Sequence, residues 1–109
     1  MADVVRPLER IREIAKSMES GMPTDVTTAY SSVAALVDIV KGENDAQGND
    51  TYISEKLNTL LYHARCLAKL DDDKRRPGFQ HLEWLLMACD DSLRQFLSLG
   101  WVDQAPTTT

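Results

Sequence analysis

Residues 79–99, FQHLEWLLMACDDSLRQFLSL, carry apolar side chains at the period of an α-helix and decide the fold class. At about 100° per residue, one side of this helix carries six residues in steps of three and four: Phe79, Leu82, Leu86, Cys89, Leu93 and Phe96. A second apolar strip lies nearly opposite: Trp84, Ala88 and Leu99, with His81 and Leu85 at its edge. A surface helix normally has one apolar stripe and a polar back. The second strip therefore predicts a covering, which is a neighbouring helix, a partner protein or a second copy of the chain.

Three further segments show helical periodicity, at about residues 4–20, 25–41 and 51–70. The first two have a single apolar stripe. The third has a main stripe and also a second strip at helical spacing: Tyr52, Thr59, His63, Cys66 and Leu70. With a fourth helix at about 78–99 the connections are short, so successive helices should run antiparallel. The sequence predicts an all-α, four-helix, up-and-down antiparallel bundle, forming one domain over residues 1–103, and a disordered tail at 104–109.

Local signals mark the expected ends of the helices. Glycine just after the last turn and proline just beyond it end a helix, and Asp or Thr before the first turn caps one. The stretch 41–50, KGENDAQGND, predicts a loop, because it has two glycines and no apolar side chain larger than alanine. Its acids lack the order of a calcium-binding loop, so we expect no calcium there. The predicted boundary residues are Gly21 and Pro23 after helix one, Thr24 or Asp25 before helix two, Asp50 or Thr51 before helix three, and Gly100 after helix four.

The charge balance argues against nucleic acid as a partner. The chain of 109 residues has a net charge of −5, whereas non-specific nucleic-acid binding depends on Lys and Arg that neutralise phosphates. Residues 25–61 hold six acids against two bases. This acidic middle segment favours a basic protein partner.

Cysteine content and hydropathy predict a soluble, cytoplasmic protein. Two cysteines, Cys66 and Cys89, are too few for a disulfide scaffold. The N-terminus lacks the basic-then-apolar order of a signal peptide, and no apolar run reaches the length of a membrane span. We therefore expect no contact with a membrane.

His63 and Cys66, three residues apart, could present an imidazole and a thiolate on one side of helix three. Zinc normally takes three or four protein ligands, and His81 is the only further candidate near them. The chain also lacks a glycine-rich phosphate loop and a nucleophile elbow. The sequence therefore predicts no metal ion, no cofactor and no catalytic residue of these types.

Arg76 and His81 lie five residues apart at the start of helix four, in the order RPGFQH. This R-x4-H spacing in a four-helix domain resembles the active-site signature of HEPN ribonucleases, which are helical domains that act as dimers. The resemblance covers six residues, and Pro77 follows the arginine where that family commonly has a polar residue. It implies that His81 moves a proton and Arg76 steadies a phosphate during RNA cleavage.

The sequence favours a non-catalytic function, that of a small acidic interaction module such as a regulator, an inhibitor or an adaptor. Tryptophan is enriched in contact hot spots, and Trp84 lies away from the main stripe of its helix. We expect a homodimer or a protein partner held by the second apolar face of helices three and four. A HEPN-like ribonuclease and a structural subunit of a larger assembly are the alternatives. The predicted contact residues are Tyr52, His63, Cys66, Trp84, Ala88 and Leu99.

Overall fold

The computed structural model describes residues 2–21, 25–70 and 75–102, and within these ranges it contains four α-helices. Each helix packs against its neighbours in the chain, and the fourth returns against the first. The first and third touch only weakly along the diagonal. The predicted all-α bundle is therefore confirmed. The helices are α1 (Val5–Ser20), α2 (Val26–Gln47), α3 (Thr51–Leu67) and α4 (Gly78–Ser98).

Contacts between helix ends show that neighbouring helices run antiparallel. At the start of α1, the Ala2 N–H donates a 2.7 Å hydrogen bond to the carbonyl of Trp101, beyond the end of α4. At the start of α3, the Asp50 carboxylate accepts a 3.2 Å hydrogen bond from Gln95 in the last turns of α4. Both ends of the described chain are therefore held at the same end of the bundle.

The predicted loop at 41–50 is mostly wrong, because α2 continues to Gln47. Asn44 occupies the next inward position after a stripe of valines and is only 1% exposed. Its amide donates to the Asp50 carbonyl (3.1 Å) and the Ser54 hydroxyl (3.3 Å), and it accepts from the Asp50 N–H (2.9 Å). A buried amide is tolerated when its hydrogen bonds are satisfied. The buried side of α2 therefore ends in a polar residue, Asn44. A prediction based on apolar residues alone follows this side only as far as Val40.

The predicted core stripe of α4 is confirmed at Cys89 and Phe96, which are buried, but the buried side of the helix is shifted toward the second strip. Phe79 is 58% exposed, whereas Leu85 and Ala88, placed on or beside the second strip, are buried. Two polar side chains lie on the buried side, and one of them, Ser92, donates a 2.8 Å hydrogen bond to the carbonyl of Ala88. Much of the second strip is therefore covered by neighbouring helices. The buried residues of α4 are His81, Leu85, Ala88, Cys89, Ser92 and Phe96.

Capping residues bound the helices largely where the sequence places them. The carboxylate of Asp25 accepts from the Thr27 N–H, and that of Asp50 accepts from the Ile53 N–H, both at 3.0 Å. Gly21 closes α1 in the left-handed conformation, with φ of 74°, which glycine adopts without a steric cost. Pro23, Thr24 and the predicted tail at 104–109 lie outside the described residues.

Candidate functional site

The most extensive helix contact in the bundle joins α3 to α4, and it contains two histidines near the turn between these helices. His63 on α3 is 6% exposed and His81 on α4 is 2% exposed. Their Nδ1 atoms are 3.0 Å apart, which is hydrogen-bonding distance. One imidazole therefore donates its Nδ1–H and the other accepts with a bare Nδ1. The second apolar strips of the two helices meet at this polar contact.

Trp84 lies against both imidazoles on the side that faces solvent. Its ring centroid is 5.3 Å from that of His63 and 6.3 Å from that of His81. The guanidinium of Arg76 lies 4.8 Å from the Trp84 ring, a cation–π distance. Tyr62 adds an edge-on ring 5.2 Å from His63. We call Tyr62, His63, His81 and Trp84 the aromatic cluster.

A shallow cleft of about 160 Å³ opens to solvent beside the aromatic cluster. The Lys56 ammonium and the Asp91 carboxylate approach to 3.4 Å between the two helices that border it. Lys56 also lies 5.2 Å from the ring of Tyr52, one turn earlier on α3. Met87 borders the cleft and is 52% exposed. We call the outer surface around this cleft the α3–α4 face: Tyr52, Lys56, Thr59, Trp84, Met87 and Asp91.

The structure brings together four of the six predicted contact residues. Trp84 is half-buried at the cleft, and His63 and Ala88 form its floor. Tyr52 is exposed and reaches the same surface through Lys56.

The other two predicted contact residues are not among those that line the cleft. Cys66 is half-buried on α3, and Leu99 is exposed just past the end of α4.

Sequence reasoning missed Met87 and the ion pair between Lys56 and Asp91. Met87 follows Trp84 by three residues, so the two share one side of α4. That spacing was a usable signal. The two residues of the ion pair lie on different helices and are 35 positions apart in the chain, so no spacing rule predicts their contact.

The buried thiol of Cys89 is unsuited to act as a nucleophile at neutral pH. Burial raises the pKa of the Cys89 thiol to about 12, so it stays protonated at neutral pH, and only a thiolate attacks. Over residues 2–21, 25–70 and 75–102, no three His, Cys, Asp or Glu side chains converge to hold a metal ion.

Arg76 and His81 are the two residues of the ribonuclease hypothesis. Both lie at the aromatic cluster, but they do not form a pair of side chains that is open to a substrate. His81 is buried with its Nδ1 directed at His63, and the Arg76 guanidinium stacks on Trp84. A general acid or base must reach the reacting atom to within hydrogen-bonding distance. In this conformation the substrate has no such access to His81.

None of the helices in the described part of the chain is long and apolar enough to cross a membrane. Comparison with protein-family models, curated proteins and solved structures gives no match to this chain.

Proposed function

We propose that this protein is a non-catalytic interaction module that binds a protein partner through the α3–α4 face. The observation that carries the proposal is an exposed Met87 beside a half-buried Trp84 at the rim of an open cleft. Tryptophan dominates the energetics of many interfaces, and methionine adapts its shape to a partner surface. A rigid anchor and an adaptable neighbour together suit helix-face recognition.

The charges on the α3–α4 face favour a second copy of the chain as the partner. Lys56 and Asp91 expose about a third and a quarter of their side chains, and they place both signs side by side. In a two-fold dimer every contact across the interface occurs twice. If one residue of the first copy contacts a second residue of the other copy, the same pair is formed with the two copies exchanged. Lys56 of one copy can thus approach Asp91 of the other, so two such faces attract even though the whole chain is acidic.

A basic protein is the other partner class that the charge supports. The acids Asp38 and Asp45 project from α2, which does not contact α4 in the described structure. The acidic segment and the α3–α4 face are therefore separate surfaces. The acidic segment can speed the encounter with a basic partner, while the face supplies the apolar contact.

We do not propose ribonuclease activity. His81 is 2% exposed and engaged with His63, which argues for a role in packing. Incubation with RNA checks this directly. We expect the wild type and His81→Ala to be equally inactive, and cleavage by the wild type that His81→Ala abolishes would reverse the assignment.

The test of self-association compares two substitutions at matched exposure. Met87→Glu places a charge on the α3–α4 face, and Ile39→Glu places one at a 51% exposed site on α2. By light scattering across a concentration series, we expect wild type and Ile39→Glu to form dimers and Met87→Glu to remain monomeric. Trp84→Glu should act in the same direction.

Two results would contradict this proposal. A wild type that stays monomeric at every concentration would remove the second copy as partner. Dimers of unchanged affinity in Met87→Glu would place the interface elsewhere. Far-UV circular dichroism of each variant establishes that a lost dimer is not a lost fold.

A further inference from the structure

We infer that His63 and His81 form an acid-sensitive clasp that holds α3 to α4 and releases when both imidazoles are protonated. The observation is the 3.0 Å separation of two buried Nδ1 atoms, with the Trp84 ring lying against both rings. The inference concerns the fold and is independent of whether the α3–α4 face binds a partner.

The proton count of the pair follows from its geometry. Two neutral imidazoles carry two ring protons, one of which lies between the Nδ1 atoms. A third proton can bind the Nε2 atom of the donating ring, and the Nδ1 contact survives. A fourth proton has to bind the accepting Nδ1. This atom already faces the protonated Nδ1 of the other ring, and the two nitrogen atoms are 3.0 Å apart. Two N–H groups then point at each other, and the contact breaks.

The sign of the pH dependence follows by linkage. The clasped pair accepts at most one added proton, whereas the two separated histidines of an opened state accept two. The state that binds more protons gains population as the pH falls. Because histidine titrates between about pH 8 and pH 5, the closed α3–α4 contact should weaken over that interval.

Other charged groups surround the clasp and must be considered as sources of the same pH dependence. Lys56 and Asp91 border the adjoining cleft, Arg76 stacks on Trp84, and Glu19 of α1 approaches Gly78 at the start of α4. α1 and α2 also contact α3 and α4 through the ion pair of Arg12 with Asp90 and the hydrogen bond of Arg65 to Tyr30. In sequence, Asp71, Asp72 and Asp73 also lie between the two helices. On α3 itself, the nearby titratable side chains are Tyr62 and Cys66.

Opening of the clasp should be local at first. His63 lies in the last turns of α3 and His81 in the first turn of α4. At the opposite end of this hairpin, Asp50 binds Gln95 through groups that contain no histidine. Acid should therefore disturb Trp84 and leave the environment of Trp101 unchanged.

Tryptophan fluorescence tests the clasp with a matched pair of reporters. Trp101→Phe leaves Trp84 as the single tryptophan, and Trp84→Phe leaves Trp101. From pH 8 to pH 5, we expect a sigmoidal change in the emission of Trp84 and a flat response from Trp101. In the Trp101→Phe background, His63→Gln and His81→Gln should each abolish the change, because glutamine takes up no proton in this range.

Variants of the nearby carboxylates test whether a group other than the two histidines causes the pH dependence. Glu19→Gln, Asp91→Asn and the triple change of Asp71, Asp72 and Asp73 to Asn should each retain the Trp84 transition. A Trp84 signal that is flat in the starting protein would overturn the inference. So would a transition that persists in both glutamine variants, or one that disappears in a carboxylate variant while both glutamine variants keep it.

Should the glutamine variants fail to fold, nitrogen-15 NMR of the Trp101→Phe protein decides. At pH 8 we expect one protonated and one bare Nδ1 in the two rings, and at the lower end of the titration two imidazolium rings that appear together with the Trp84 change. Two rings that become imidazolium while Trp84 emission stays constant would refute the clasp.

Discussion

The two helical hairpins of this bundle bury different kinds of side chain. The helices α1 and α2 form one hairpin, and within these two helices Asn44 is the one buried polar residue among largely aliphatic ones. The hairpin of α3 and α4 buries two histidines and a serine among its aliphatic residues. Aliphatic contacts are non-directional, whereas a hydrogen bond fixes distance and angle. The interior of the second hairpin therefore contains a directional contact between its helices, the hydrogen bond of His63 with His81, whereas the interior of the first is held mainly by non-directional aliphatic contacts.

The largest effect should come from the aliphatic hairpin. Ile11 on α1 is fully buried, and Ile11→Ala removes apolar contacts and leaves a cavity. We expect a loss of about 2–5 kcal/mol in the free energy of unfolding, measured by urea titration. Ile39→Ala on α2, at an exposed site, should change it by no more than about 0.5 kcal/mol. Similar losses in the two variants would contradict the assignment of the core.

The next effect should come from the corner where the two hairpins join. Asn44→Ala removes three hydrogen bonds and leaves the Asp50 backbone groups without their partner. We expect a loss of about 1–3 kcal/mol, because buried polar groups without a partner carry their full desolvation cost. Asn58→Ala, at an exposed position of α3, is the matched control and should be nearly neutral. A neutral Asn44→Ala would mean that water replaces the lost bonds.

The contrast between the hairpins also explains how far the sequence predicts the structure. The number and order of the helices follow from apolar periodicity, and the capping role of Asp25 and Asp50 follows from local chemistry. The end of α2 and the buried side of α4 were mispredicted at Asn44 and His81. Both are polar residues whose burial depends on a partner that is distant in sequence or in another helix.

The candidate site shows the same limit. Trp84 was predicted because a large apolar residue lay off its main stripe, and the structure puts it at a cleft. The hydrogen bond between His63 and His81 was not predicted, although the two residues were considered together as candidate metal ligands. Periodicity gives the side of a helix on which a residue lies, but not the height at which two helices meet.

A smaller effect should come from the cap of α3 in the second hairpin. Asp50 accepts from the Ile53 N–H at the start of the helix and from Gln95 of α4. Asp50→Ala should lower the free energy of unfolding by about 0.5–2 kcal/mol. Gln95→Ala tests whether the contact with α4 contributes beyond the cap. The double variant is then compared with the two single variants. If the sum of the two single losses in free energy of unfolding exceeds the loss in the double variant, the cap and the contact with α4 act through the same carboxylate.

The smallest effect should come from Asp25, the corresponding cap of α2 in the first hairpin. Hydrogen bonds from the Thr28 hydroxyl and the Thr27 N–H stabilise its carboxylate and hold its pKa below the ordinary value of 3.8. A carboxyl whose pKa is lower in the folded state than in the unfolded state stabilises the fold at pH values above its unfolded-state pKa. That stability is lost as the pH falls through the folded-state pKa. Asp25→Ala should therefore destabilise the protein at pH 6 and lose its effect in strong acid. Asp25→Asn, which can still cap, should destabilise less at pH 6. A difference between wild type and Asp25→Ala that is the same at pH 6 and pH 2 would show that the charge on this carboxylate contributes nothing.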